Sequence, residues 1–182
     1  KTSQRRALSA VNRFFKFLEQ RGDIPANPLR DIRGPKARRK LPIVLSRAEV
    51  EALMAAPDRT TPRGQRDKAA LELLYASGLR ASELCQLRVS ELRLNLGVVC
   101  PRGKGNKERA VPMGQPAIAA LEEYIQDGRF TLLKGKPSPF VFIGNSSRSL
   151  SRMALYKIIK RYALVAGISK PISPHKLRHA FA

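Results

Sequence analysis

Cysteine, long apolar runs and acidic residues are all scarce in this chain. Cys85 and Cys100 are the two cysteines in 182 residues. They form neither a CxxC pair nor a disulfide framework, which leaves a redox function little support; both are expected to serve as buried apolar filler. No stretch approaches the roughly 20 apolar residues that span a bilayer, and the start from Lys1 to Arg6 has no apolar signal-peptide core behind it. A cytoplasmic protein is expected. Asp and Glu number 14 against 35 Lys and Arg, leaving a formal charge of +21 and a sequence pI near 11.1. That excess calls for a polyanion. Nucleic acid fits best, because neutralising phosphates releases counterions and supplies most sequence-independent affinity. The alternatives are a basic protein kept soluble by self-repulsion, or one drawn to an anionic membrane.

Hydrophobic residues make up 43% of the chain and are evenly spread, enough for an ordinary core. The length suits one ordinary domain plus part of another. Leu8, Val11, Phe15 and Leu18 recur at helical spacing between Ser3 and Arg21, and Gly22 ends that helix. From Asp23 to Leu41 the chain holds Pro25, Pro28, Gly34 and Pro35 and the basic run Lys36 to Lys40, with no periodicity. A single helix cannot bury its own face. Residues 1–30 are therefore expected to be the tail of a helical domain, 31–41 a basic linker, and 42–182 a second domain.

In that second domain Ser46 and Glu49 form a capping-box pattern ahead of Val50, Leu53 and Met54. A helix is expected from about Pro62 to Ser77 with Ala69, Ala70, Leu73 and Leu74 inward, stopped by Gly78 in the left-handed conformation. A short helical turn follows, from Leu79 to Leu84. Val98 to Cys100 and Arg109 to Val111 read as strands of a hairpin whose tip, Gly103 to Lys107, is basic. Further helices are expected over about Pro116 to Gln126, over Ser151 to Ala166 with Gly167 behind it, and from the Ser173 cap and Pro174 onward; Phe140 to Ile143 suits a short strand. The fold class is mainly α with one small antiparallel β-sheet (α+β), without a solenoid repeat.

Three features carry possible chemistry: Arg80 just past a helix stop, Lys104 in the hairpin tip, and His175 with Arg178 one helical turn apart. Taken singly, each reads more readily as a solvated charge, a turn residue or an electrostatic contact. Together, in order, GLRASEL (Gly78 to Leu84), GKGNKERAVPM (Gly103 to Met113) and SPHKLRHAFA (Ser173 to Ala182) resemble the tyrosine recombinases, especially the Xer-type and phage-integrase enzymes. The likeness runs from about Leu41 to Ala182. Residues before it are similar to the last helix of that family's core-binding domain and its linker.

The resemblance implies site-specific DNA cleavage and rejoining through a 3′-phosphotyrosyl intermediate in a full-length parent. It makes Arg80 and Arg178 the arginines that grip the scissile phosphate, Lys104 the hairpin lysine and general acid, and His175 the histidine of HxxR. The residue types suit the reaction. Planar guanidiniums match the non-bridging oxygens bidentately and stay charged, so two of them stabilise the transition state without a metal. An ammonium held over the DNA can protonate the leaving 5′ hydroxyl. Lys107 competes with Lys104 for that role. Glu83 occupies the family's acidic position, where it is expected to orient the basic cluster; a surface i,i+3 charge pair is the alternative.

The family's final elements, a second His or Trp and the nucleophilic tyrosine, lie beyond HxxR. Tyr75, Tyr124, Tyr156 and Tyr162 all precede His175 within helical patterns, where core or amphipathic packing is expected. The chain is accordingly expected to be truncated before its nucleophile, binding DNA without cleaving it. For the DNA itself, Arg38, Arg39 and Lys40 would track the backbone, Lys107 and Arg109 would touch phosphates beside the hairpin tip, and Arg148 and Arg152 would approach the duplex from the loop and first turn of a major-groove helix. Arg152 is the candidate for reading guanine, against a solvated charge.

Expected partners are double-stranded DNA and, for the parent, further recombinase protomers in a tetramer. No cofactor and no small-molecule substrate is called for. His175 and His179 share the i,i+4 spacing of zinc-binding HExxH, but Lys176 stands where that motif has its carboxylate, and the local field is positive. A non-catalytic DNA-binding or regulatory protein on the same fold is the runner-up. A ribosomal-type RNA binder explains the charge without the motifs, and a topoisomerase shares the tyrosine chemistry but not the Xer-like wording.

Overall fold

A computed structural model describes residues 2–32, 34, 44–102 and 108–179. Its contacts fall into two units, Lys1–Pro42 and Ile43–Ala182.

In the first unit, α1 spans Thr2–Arg21. Gly22, at φ 78°, stops it in the conformation that costs glycine least. Asn27 then turns the chain back along the helix: it is buried, its Nδ2 donates to Asn12 Oδ1 at 2.7 Å, and its backbone N–H donates to Glu19 at 3.2 Å. Within this unit Phe14 and Phe17 keep about half their surface exposed, as expected of one amphipathic helix with little to pack upon.

The second unit holds the core. Its helices are α2 (Arg47–Ala55), α3 (Pro62–Ser77), α4 (Ala81–Gln86), α5 (Gln115–Glu123), α6 (Arg129–Leu133), α7 (Arg152–Val165) and α8 (Pro174–His179). The capping box at Ser46 and Glu49 forms as the sequence indicates, and α3 has the bounds expected of it. α3 is central, lying against α2, α4, α5, α6 and α8. Ala69, Ala70, Leu73 and Leu74 are buried, and so is Leu71 on another side of the helix. A helix covered all round must pair its polar residues. Asp67 meets Arg66 and Arg161, and Glu72 accepts from Lys68 at 2.7 Å.

The sheet is small and antiparallel, ordered β1 (Leu92–Arg93), β2 (Val98–Val99), β3 (Val111–Pro112). β2 and β3 are the arms of the expected hairpin; its tip lies outside the described residues. β1 was not expected, because two residues carry no period. Phe140 and Ile143 make isolated bridges to Arg88 and Ser149 rather than a strand. The helix expected over Pro116 to Gln126 ends earlier and passes through a π-turn, Tyr124–Gly128, into α6. Cys85 is buried as expected, whereas Cys100 is half-buried.

Candidate active site and nucleic-acid interface

Arg80 owes its position to two neighbours. Gly78, at φ 55°, ends α3 and turns the chain, and Leu79, fully buried, pins the connection. Arg80 then caps α4 with extended backbone, at φ −69° and ψ 148°. Glu83, at the third position of α4, reaches back to accept from the Arg80 backbone N–H at 2.7 Å and from its Nη1 at 3.0 Å. A carboxylate in the first turn also suits the helix dipole.

Glu83 holds a second arginine as well. Arg109 donates through Nη1 to Oε1 at 3.1 Å and through Nη2 to Oε2 at 2.9 Å, a two-pronged contact. The Glu83 side chain is only 7% exposed, while those of Arg80 and Arg109 are 62% and 41% exposed. Burial acts to raise the Glu83 pKa, but the hydrogen bonds from Arg109 and from the Arg80 backbone and side chain outweigh it and bring it down to about 2. At neutral pH this is a carboxylate between two guanidiniums. The cluster keeps a net positive charge, and Arg80 presents most of its fork to solvent.

His175 and Arg178 stand on α8. Ser173 opens this helix by accepting from the Lys176 N–H at 3.3 Å, and Leu177, fully buried, anchors it. Arg178 is half-buried and His175 exposed. α4 and α8, which carry Arg80 and the HxxR pair, both pack on α3 and α7. Lys104 and Lys107, like Arg38, Arg39 and Lys40, lie outside the described residues.

The tyrosines separate by environment. Tyr124 is fully buried, its hydroxyl accepts from the Ile143 N–H at 3.1 Å, and burial pushes its pKa up to about 12. Tyr162 is buried against Asp67 and Arg161, and Tyr75 is half-buried. Tyr156 departs from the expectation of packing: it is exposed, with Lys160 lying over its ring at 5.5 Å.

Arg152 is exposed in the first turn of α7, behind the Ser151 cap, whose hydroxyl accepts from the Ala154 N–H at 3.0 Å. It lines a cleft of about 350 Å³ together with Ser82, Cys85 and Gln86 of α4 and Ser149 to Ser151. Gln86 donates to Ser149 Oγ at 3.2 Å, tying α4 to the loop before α7. Arg148, in that loop, is exposed. Sequence reasoning missed this contact and the Arg109 clamp on Glu83, since the partners lie 63 and 26 residues apart and no local pattern marks them.

The pattern of the phage integrase family matches residues 44–182. The chain belongs to that family. It is 46% identical to the tyrosine recombinase XerD of Pseudomonas putida over 180 residues, covering 99% of this chain and 60% of that protein. It is also 46% identical to the XerD of Vibrio cholerae over 182 residues, with 100% and 60% covered. Among solved structures it is similar to the XerA recombinase, with a TM-score of 0.70 at 29% identity over 99% of this chain and 60% of that one. It is also similar to the XerH site-specific recombinase bound to its difH substrate, with a TM-score of 0.66 at 26% identity over 78% and 42%. The chain spans about 60% of the length of the curated relatives it matches. Among the described residues no helix is long and apolar enough to cross a membrane.

Proposed function

We propose that the chain supplies the DNA-gripping and phosphate-activating part of a site-specific recombinase that cleaves and rejoins strands through a 3′-phosphotyrosyl link. The observation that carries this reading is the Arg80, Glu83 and Arg109 cluster: an exposed guanidinium held at a helix start by a buried carboxylate that stays ionised at all physiological pH.

In this reading Arg80 and Arg178 bind the non-bridging oxygens of the scissile phosphodiester. Charge accumulates on those oxygens as an alcohol attacks, so donors already fixed in place stabilise the transition state more than the ground state. Arg80 is held by one carboxylate and reoriented little on binding. His175 shares the phosphate contact and helps move the proton of the attacking hydroxyl. Lys104, with Lys107 as its competitor, protonates the 5′ leaving oxygen. None of Tyr75, Tyr124, Tyr156 and Tyr162 is the nucleophile: the buried Tyr124 and Tyr162 hydroxyls are already engaged, and Tyr75 and Tyr156 sit within α3 and α7 rather than after the HxxR helix.

Arg152 reads a base edge, with Arg148 on the backbone nearby. Arg38, Arg39 and Lys40 track the duplex from the linker, residues 31–41, between a core-binding segment (1–30) and the catalytic domain (42–182). The whole protein acts in the cytoplasm at the nucleoid, with partner protomers in a tetramer, in DNA integration or chromosome partition. XerH and Tn1549 transposon integrase structures hold DNA, and a lambda integrase tetramer holds a Holliday junction, which supports these partners.

The test is a supercoiled-plasmid assay with this chain beside a duplex-binding titration. Salt-sensitive duplex binding without relaxation is expected. Turnover would overturn the tyrosine assignment, and absence of duplex binding would overturn the reading as a whole.

A further inference from the structure

An unassigned feature lies at the far end of α3 from Arg80. Two concavities of about 290 and 450 Å³ adjoin there and share Arg63, Leu132 and Lys134. The smaller is also lined by Arg66, Lys136 and the loop 144–147. No carboxylate is among the lining residues of either. Beneath them lies Asp67, which is fully buried and shared: Oδ1 accepts from Arg66 at 2.7 and 2.9 Å, and Oδ2 accepts from Arg161 at 2.7 Å. Arg63, Arg66, Lys134, Lys136 and Arg161 line the two concavities and Asp67 meets two of them, an excess of four positive charges. Arg63, Lys134 and Lys136 are all exposed.

The walls are built rather than loose. Arg66 Nη1 donates to Ile143 O at 2.9 Å and Ser147 Oγ to Leu133 O at 2.9 Å, so the 144–148 loop is tied to both α3 and α6. That loop doubles back on itself, with the Gly144 N–H donating to Arg148 O at 2.8 Å; a Cβ on Gly144 would meet Ser149 O at 2.9 Å. Lys134, Ser146 and Ser147, at φ 50°, 54° and 59°, are the non-glycine residues with left-handed backbone among the described residues, and all three line this cavity. Such conformations persist where the surroundings over-determine them, often around a ligand. The same loop continues into Ser149 and Arg152, which line the cleft on α4.

We infer that this cavity is a second site for phosphate oxygens and that the DNA backbone supplies them, so that the duplex read at Arg152 is gripped again farther along. The inference rests on the DNA-binding reading above. α3 separates Arg63 from Ser77, the last helical residue before the turn to Arg80, by roughly 21 Å at 1.5 Å per residue. That is about six base-pair steps of duplex. Short DNA therefore reaches one site and not the other.

The experiment is a salt titration of affinity for duplexes that share one bound sequence and are shortened stepwise from either end. It compares the wild-type chain with an R63Q/K134Q/K136Q variant whose thermal melting is unchanged. Each lost phosphate contact lowers the slope of log K against log salt by about 0.9. The variant is expected to lose about 2 to 3 in slope on long duplexes and nothing on short ones. A long-duplex slope equal to wild type overturns the inference. Calorimetry with inorganic pyrophosphate separates the sources: pyrophosphate binding lost in the variant while the long-duplex slope is untouched would place a free phosphate compound here and overturn the DNA assignment. A wild-type chain that binds neither length contradicts the functional reading itself.

Discussion

Arg109 closes on Glu83 with two parallel hydrogen bonds of 3.1 and 2.9 Å, although it follows it by 26 residues and stands on the far side of the hairpin tip. The contact fixes where the hairpin leaves the sheet relative to the start of α4. We propose that Arg109, expected to touch phosphate, also holds Glu83, and through Glu83 holds Arg80. Arg109→Gln is then expected to lower affinity for duplex DNA through Arg80, and carboxyl-carbon NMR should show the Glu83 pKa rising from about 2 toward its ordinary 4.5. An unmoved Glu83 titration would leave Arg109 a plain backbone contact.

The same carboxylate sets a pH dependence. Its folded pKa is depressed from 4.5 to about 2, so the stability it contributes is fully present above about pH 4.5 and is lost as the pH falls toward 2. Denaturant unfolding across that window should show a loss in the wild type that Glu83→Gln lacks. Parallel curves would mean that the carboxyl is not held in the folded state.

Gly78 ends α3 at φ 55°, where an L side chain is strained. Gly78→Ala is expected to cost about 1 to 2 kcal/mol in urea unfolding and to weaken DNA binding by moving Arg80. Stability lost with affinity intact would show that Arg80 keeps its place by other means.

Tyr124→Phe removes the acceptor of a buried backbone N–H at Ile143. A loss of about 1 to 3 kcal/mol is expected, with duplex affinity unchanged. A selective loss of DNA affinity would instead put Tyr124 in the functional machinery.

Much of the fold was legible because its signals are local. The Ser46 and Glu49 box, the Gly78 stop and the Ser173 cap each act within four residues, and each forms as expected. β1 is two residues long and exists by pairing with β2, so nothing in Leu92 and Arg93 announces it. The π-turn at Tyr124–Gly128 interrupts an otherwise helical pattern where the chain passes close to α3: a Cβ on Gly128 would strike Gln65 Oε1. The site divides in the same way. Arg80, His175 and Arg178 are proposed from motifs, whereas the Arg109 clamp and the Arg63, Lys134 and Lys136 cavity arise from residues far apart in sequence.

We propose that the Arg80 guanidinium binds one particular backbone phosphate. The direct measurement is a double-mutant cycle between Arg80→Ala and a duplex in which single phosphates are replaced by uncharged methylphosphonates, read as affinity. At one backbone position the neutral substitution should weaken the wild-type chain and leave the Arg80→Ala variant unaffected. If the two losses add independently at every position, Arg80 does not hold a phosphate and the recombinase site proposed around it is contradicted.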